Sequence, residues 1–109
     1  MLITVLLADD HGVLRDGLRD LLELQADISV VAAAADGQEA VRLAAEHKPA
    51  VAILDVAMHL LTGIEATRAL LRDTPGTAVL VLSYHSEAEM VREAFRAGAR
   101  GYVDRKSVV

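Results

Sequence analysis

Short apolar runs alternate with amphipathic segments along the whole chain. The runs consist mostly of Val, Ile, Leu and Ala without polar alternation, which is typical of strands buried on both faces of a sheet. A weaker fifth run is predicted as a strand mainly from its position. The predicted strands are Leu2–Ala8, Ile28–Ala33, Val51–Leu54, Ala78–Leu82 and Gly101–Val103.

The segments between these runs have the spacing of helices. Asp36 and Ser86 each precede a glutamate by three residues, a pattern typical of a helix N-terminus. Each segment carries one apolar stripe, and the stripes are Leu14, Leu18, Leu21 and Leu22; Ala40, Val41, Ala44 and Ala45; Ile64, Thr67, Leu70 and Leu71; and Ala88, Val91 and Phe95. The strict alternation predicts an α/β fold, a doubly wound parallel sheet with right-handed crossovers and helices on both faces.

The length and the apolar content fit one domain spanning residues 1–109. Apolar residues make up 53% of the chain, enough for an aliphatic core. After Val103 only residues 104–109 remain, which are too few for a fifth helix. We therefore expect that helix to be missing or truncated, and no output domain within this chain.

Charge and composition exclude several classes of function. The net charge is −5 without a basic block, so this chain is a poor candidate for binding nucleic acid. It has no cysteine, which excludes disulfides and thiolate sites. The apolar start runs into Asp9 and Asp10 without a basic flank, and no run approaches the length of a membrane span. We expect a soluble cytoplasmic protein without a membrane partner.

Carboxylates fall at the ends of two predicted strands. Asp9 and Asp10 directly follow the first run, and Asp55 directly follows the third. In a sheet of order 2-1-3-4-5 these strands are neighbours, roughly 5 Å apart, and ligands bind at the carboxyl ends where the strand order reverses. Three carboxylates there repel one another strongly unless a cation neutralises them. An all-oxygen site with few protein ligands suits Mg²⁺, which keeps several waters.

Further polar groups are predicted at the same edge. Ser83 ends the fourth run, and Arg105 and Lys106 follow the fifth. A hydroxyl and a cation opposite a metal-bound carboxylate can hold a phosphoryl group while the carboxylate oxygen attacks phosphorus in line. Each residue alone has a plainer explanation: Asp9 or Asp10 as a helix cap, Ser83 as a turn hydroxyl, the two cations as solvated surface. The convergence of all of them favours the phosphoryl site.

Four segments resemble the receiver domains of bacterial response regulators, especially receivers joined to a helix-turn-helix output domain. They occur in the family's order over nearly the whole chain, and they are Asp9–His11 with Val13–Leu18, Ile53–Met58 with Gly63, Leu82–His85 and Ala97–Tyr102. The resemblance implies a flavodoxin-like fold. It also implies a signalling switch of a two-component phosphorelay, in which a histidine kinase is the phosphodonor.

The resemblance assigns roles to the acidic residues. Asp55 would be the phosphoryl acceptor and a metal ligand. Asp10 would bind Mg²⁺, Asp9 would assist, often through water, and the backbone carbonyl of Ala57 would complete the protein's metal contacts. Such a domain catalyses only its own phosphorylation and dephosphorylation, so it is not classed as an enzyme.

The resemblance also implies how the signal leaves the site. Ser83 would bond the phosphoryl oxygen, and Tyr102 would turn inward into the space that Ser83 vacates. The surface between Ser86 and Val103 would then change and regulate an output, which for this kind of receiver is transcription. An ordinary strand aromatic with its hydroxyl in water is the plainer explanation of Tyr102.

Three positions depart from the family's pattern. Arg105 stands where the family has its active-site lysine, and Lys106 beside it is the alternative cation. His59 replaces a proline, which frees φ and should loosen the loop beside the site, and Leu60 replaces a small residue. Arg105, His59 and the short C-terminus keep open an alternative: a degenerate receiver that serves as a protein interaction or dimerisation module without phosphorylation.

Three other interpretations were weighed. A haloacid-dehalogenase-type phosphatase needs a second acid two residues after its nucleophile, where Ala57 stands. A flavin or nucleotide binder needs a phosphate loop after the first strand, where Asp9 and Asp10 would repel a phosphate. A transition-metal site is the third, although the spacing of its candidates fits no compact ligand set; they are His11, His59 and His85.

The missing fifth helix has a consequence for assembly. The flank formed by the fifth strand and the first helix should expose apolar surface. We therefore expect a homodimer or a segment-exchanged dimer through that side.

Overall fold

Five strands and four helices alternate along the part of the chain that the structure, a computed structural model, describes, which is residues 2–83 and 87–104. The strands are β1 (Ile3–Ala8), β2 (Ile28–Ala34), β3 (Val51–Asp55), β4 (Ala78–Ser83) and β5 (Gly101–Asp104). The helices are α1 (Gly12–Glu23), α2 (Gly37–His47), α3 (Gly63–Asp73) and α4 (Ala88–Arg96).

The strands form one parallel sheet of order β2-β1-β3-β4-β5. This confirms the predicted doubly wound fold. The main correction concerns the strand ends, because β2, β3, β4 and β5 each run one residue further than the apolar pattern predicts, to Ala34, Asp55, Ser83 and Asp104. Two of the predicted site residues are therefore held within the sheet itself rather than in the loops after it.

One face of the sheet carries the main core. Alternate residues of β1, β3 and β4 pack there against α2, α3 and α4. The largest side chains of this core are fully buried, among them Leu6 of β1, Leu54 of β3 and Leu70 of α3. The helices contribute mostly alanine, which allows them to lie close to the sheet. The core is aliphatic, as the composition predicts.

Helix α1 covers the other face and contacts mainly β1 and β2. No residue of α1 is buried, and two members of its predicted leucine stripe point outward, since Leu14 is 41% and Leu21 63% exposed. Leu18 and Leu22 are partly buried and make up the contacting side. The sheet therefore covers only part of the predicted apolar stripe, and the expected apolar exposure at α1 is observed.

The apolar stripe of α4 is not the side that packs most closely on the core. Ala88 and Phe95 are exposed, and the buried residue of the helix is Ala94. The N-cap of α4 is Glu87, and the predicted cap Ser86 lies outside the described residues.

Capping positions the helices that flank the site. The Asp36 side chain accepts a hydrogen bond from the Glu39 N–H, as predicted. A reciprocal capping box that the sequence analysis missed begins α3, where Thr62 and Glu65 each accept from the other's backbone N–H. The longest helix has 12 residues, and none of the described helices is long and apolar enough to cross a membrane.

Gly63 brings the start of α3 against the end of β3. Its N–H donates to the Val56 carbonyl at 2.9 Å. A Cβ added there would lie 2.8 Å from the carbonyl carbon of Asp55 and 2.9 Å from Cα of Val56. Only glycine permits this approach, which fixes the distance between α3 and the strand that carries Asp55.

The Gly63→Ala variant should lose about 2 kcal/mol of unfolding free energy, because the new methyl group forces the backbone apart. Gly17→Ala is the matched control, since a Cβ at Gly17 in the middle of α1 meets nothing within 4 Å. That control should gain roughly 0.5–1 kcal/mol from helix propensity. Urea unfolding followed by circular dichroism measures both changes, and a similar shift in the two variants would contradict the packing argument.

Candidate functional site at the ends of β1 and β3

The pairing of β1 with β3 brings the predicted acids together. Ala8 lies opposite Leu54 in the parallel register, so the residues that follow them, Asp9 and Asp55, are neighbours across the two strands. One ligand atom from each of Asp9, Asp10, His11 and Asp55 lies within 4.8 Å of all the others. The convergence predicted from the sequence is observed, with His11 as an addition.

The acids differ in exposure. Asp9 is 0% exposed and Asp55 3% exposed, while the Asp10 side chain keeps 17% of its surface open. Placing carboxylates this close in a buried site is costly because like charges repel and have lost part of their hydration. Positive charge placed beside these carboxylates therefore stabilises the site.

His11 contacts two of the acids. Its Nδ1 lies 3.1 Å from Oδ1 of Asp9 and 3.1 Å from Oδ1 of Asp10. The same Asp9 oxygen accepts the backbone N–H of His11 at 2.9 Å, just before α1 begins. The plainer explanation of Asp9 or Asp10 as the helix cap is wrong, because the N-cap of α1 is His11 and no described side chain makes a capping hydrogen bond there. Asp9 belongs to the acidic cluster instead.

Arg15 was missed by sequence reasoning. Its Nη1 donates to the backbone carbonyl of Asp9 at 2.8 Å, which holds the loop after β1 to the first turn of α1. No pattern in the sequence distinguishes this arginine from the other cations of α1.

The loop after β3 is fixed by hydrogen bonds to His59. The carbonyl of His59 accepts from the N–H of Leu61 at 2.8 Å and from the N–H of Gly37 at 3.3 Å. The first of these bonds closes a three-residue turn centred on Leu60, whose φ is +72°, a conformation that strains a non-glycine residue. These two bonds, rather than a proline ring, determine the path of this loop.

The same turn places the His59 ring beside the cluster. Its Nε2 lies 3.7 Å from Oδ2 of Asp10, and the ring is largely exposed. Two of the three histidines considered in the sequence analysis therefore approach the acids. The third, His85, lies outside the described residues.

The oxygen donors fit a hard divalent cation. Oδ1 of Asp10 is buried and makes no hydrogen bond within the described part of the chain, because the geometry at His11 Nδ1 suits Asp9 instead. A buried carboxylate oxygen without a hydrogen bond is unfavourable unless an ion or water satisfies it. Carboxylate oxygens in a compact group are ligands that such ions prefer.

Ser83 lies one residue beyond the level of Asp55 on the neighbouring strand, since Asp55 pairs with Leu82. It is buried, and its hydroxyl donates to Sδ of Met90 in α4 at 3.8 Å. Sequence reasoning missed Met90, for which the sequence carries no signal. Tyr102 of β5 lies opposite Val81 and packs, partly buried, against the core.

The other predicted site residues are Ala57, Arg105 and Lys106. Ala57 follows β3 by two residues and is exposed. Arg105 and Lys106 lie outside the described residues. The residue before them, Asp104, lies opposite Ser83 at the same edge of the sheet.

Comparison with known proteins gives one consistent family. The family model of the response regulator receiver domain matches residues 5–108. The transcriptional regulatory protein DegU of Brevibacillus brevis is 37% identical over 93% of this chain and 43% of its own length. The transcriptional regulatory protein LiaR of Bacillus subtilis is 41% identical over 94% of this chain and 48% of its own length. The chain thus spans about half the length of the curated relatives it matches.

A solved structure agrees with the fold. A two-component response regulator of the LuxR family from Aurantimonas superposes with a TM-score of 0.92 and 36% sequence identity. The match covers 96% of this chain and 75% of that one.

The crowding of the acids predicts a stability gain when one charge is removed. At about pH 8, where an ordinary histidine is neutral, Asp10→Asn should raise the free energy of unfolding by about 1 kcal/mol at low salt. The gain should shrink as salt is added. Asp16→Asn, an exposed acid on α1, is the control and should change stability little. A loss of stability in Asp10→Asn would show that repulsion does not dominate the cluster.

Proposed function

Because the chain belongs to the response regulator receiver domain family, we propose that it is the phosphoacceptor switch of a two-component phosphorelay, with Asp55 as the acceptor. The single observation that carries the proposal is the compact group of Asp9, Asp10 and Asp55, which joins the ends of two adjacent parallel strands. In the proposal residues 1–109 act as one receiver domain.

The proposed reaction is a phosphoryl transfer. A carboxylate oxygen of Asp55 attacks the phosphorus of a phosphohistidine on a histidine kinase, the P–N bond breaks, and the kinase imidazole leaves. The rigid position of Asp55 at the end of β3 presents the oxygen without further ordering. The domain turns over no separate substrate, so it acts as a switch rather than as an enzyme.

Asp9, Asp10, Asp55 and the carbonyl of Ala57 would hold Mg²⁺. When bound, Mg²⁺ would offset the repulsion among the carboxylates and reduce the negative charge that the incoming phosphoryl group meets. The buried oxygen Oδ1 of Asp10, which makes no hydrogen bond within the described residues, supports this assignment. Arg105 or Lys106 would supply the cation on the opposite side of the phosphoryl group.

Ser83 would transmit the change. Its hydroxyl contacts Met90 of α4, and a phosphoryl oxygen on Asp55 is a stronger acceptor than the thioether sulfur. The hydroxyl would therefore turn toward the phosphoryl group, and Tyr102 would move into the space that it leaves. Helix α4 and β5 would shift in population between two arrangements that a partner distinguishes.

The proposed output is inferred from the relatives of this chain. Two of them are named as transcriptional regulatory proteins, so we propose transcription as the regulated output, with a DNA-binding domain outside this chain. A histidine kinase in the cytoplasm would be the upstream partner.

The alternative is a degenerate receiver that binds protein partners without phosphorylation. His59 and Leu60 favour it, because together they replace the usual proline and small residue beside the site and hold Leu60 at a strained φ of +72°. The two proposals differ in one measurable property, the capacity of Asp55 to carry a phosphoryl group.

Incubation with acetyl phosphate and Mg²⁺ should add one phosphoryl group to the wild-type chain, detected by intact-mass spectrometry. Asp55→Asn should show no adduct, because its side chain cannot form the acyl phosphate. Asp36→Asn, a capping acid at the start of α2, is the matched control and should be phosphorylated normally. A wild type that stays unmodified under these conditions would contradict the phosphoacceptor proposal and favour the degenerate receiver that binds protein partners.

We also propose self-association through α1 and the flank beside β5. The exposed leucines of α1 support it, as does the half-buried state of all four β5 residues. A helix face with this much apolar surface is typical of an interface. Two copies related by a two-fold axis would cover each other's α1.

Sedimentation velocity should show a concentration-dependent dimer of the wild type. Leu21→Glu should shift it to monomer, because the charge lies on the exposed ridge of α1. Phe95→Glu, at a half-exposed position on α4, should leave the dimer intact. A clean monomer of the wild type at high concentration, or an equal effect of both variants, would contradict assembly through α1.

A further inference from the structure

We propose that the acidic site also binds a first-row transition-metal ion, with the His11 imidazole as a fourth ligand beside Asp9, Asp10 and Asp55. The inference rests on the metal site of the proposed function and adds a nitrogen donor to it. The observation that carries it is the position of one imidazole nitrogen close to two carboxylate oxygens.

The distances match a coordination polyhedron. Metal–ligand bonds of about 2.0–2.1 Å place neighbouring ligand atoms about 2.9 Å apart in an octahedron and about 3.4 Å apart in a tetrahedron. His11 Nδ1 lies 3.1 Å from one oxygen of Asp9 and 3.1 Å from one oxygen of Asp10. These three atoms already have the spacing of adjacent ligands of one ion.

The fourth donor is close enough to join them. All four ligand atoms, including one of Asp55, lie within 4.8 Å of one another. Ligands on opposite sides of an octahedron are about 4.1 Å apart by the same bond lengths. In an octahedral site the widest pair would therefore have to close by about 0.7 Å.

His11 is positioned before any ion arrives. Its backbone N–H donates to Asp9, and its carbonyl accepts the N–H of Arg15 in the first turn of α1 at 2.9 Å. The ring itself is more than half exposed, so it can exchange a hydrogen bond for a metal bond without leaving a buried group unsatisfied.

The nitrogen donor changes which ions the site favours. Oxygen ligands alone suit Mg²⁺, whereas imidazole adds affinity for Co²⁺, Ni²⁺ and Zn²⁺. Such an ion would engage an Asp55 oxygen and would fill with imidazole a position that Mg²⁺ leaves to water. Because both kinds of ion would use the same carboxylates, transition ions should compete with Mg²⁺ for the site.

The test uses the untagged full chain with Co²⁺ as the probe, followed by its visible absorption and by titration calorimetry, and with Mg²⁺ in parallel. The wild type should bind Co²⁺ more tightly than Mg²⁺. In His11→Gln the Co²⁺ affinity should fall by about tenfold or more, with altered visible bands, while the Mg²⁺ affinity stays unchanged. His47→Gln, at the exposed end of α2, is the matched control and should alter neither.

Two outcomes would overturn the inference: an unchanged Co²⁺ affinity and spectrum in His11→Gln, or an equal loss of Co²⁺ and Mg²⁺ affinity, which would mean that His11 only positions the loop. A urea unfolding curve of the variant, and His11→Asn as a second substitution, exclude a folding defect as the cause. The phosphoryl adduct measured on the same wild-type sample separates the two proposals. If the adduct forms and the histidine has no effect, only this inference fails.

Discussion

The register between β1 and β3 is the constraint on which the site depends. Side chains alternate along a strand, so Leu6 and Ala8 of β1 face the same core as Ala52 and Leu54 of β3. A slip of one residue would turn these aliphatic side chains away from α2 and α3, at a large cost in buried apolar surface. The core therefore enforces the register, and the register places Asp9 beside Asp55. The acids carry no part of that stabilisation, which explains how a sheet can hold them close together despite their mutual repulsion.

The loop after β3 contains a strained backbone position beside the acidic site. Leu60 has a positive φ, and close backbone contacts lie before and after it in this loop. Gly63 lies against the backbone of Asp55 on one side, while a Cβ at Gly37 would meet the backbone of Leu61 on the other. Strain persists at a position only when the surrounding structure determines it so strongly. Its consequence here is that His59 is directed toward Asp10, which brings a second imidazole to the edge of an acidic pocket.

The sequence predicts the sheet better than it predicts the helices, for a physical reason. A buried strand is covered on both faces, so its apolar run identifies it without reference to a partner, and strand order and convergence of the acids were predicted correctly. An amphipathic stripe identifies the apolar side of a helix but not whether anything covers it. Leu21 of α1 and Phe95 of α4 belong to such stripes and are nevertheless exposed. The contact of Ser83 with Met90 depends on how α4 is placed on the sheet, which no local pattern encodes.

That contact suggests why Ser83 is suited to a switch. A serine hydroxyl has one hydrogen to donate, and here it is directed to a thioether sulfur at 3.8 Å, a weak acceptor. In the proposed mechanism a phosphoryl oxygen on Asp55 competes for the same hydrogen and forms the stronger, charge-assisted bond. In that proposal Met90 loses its contact with the Ser83 hydroxyl in the same step, which would link the state of Asp55 to the packing of α4.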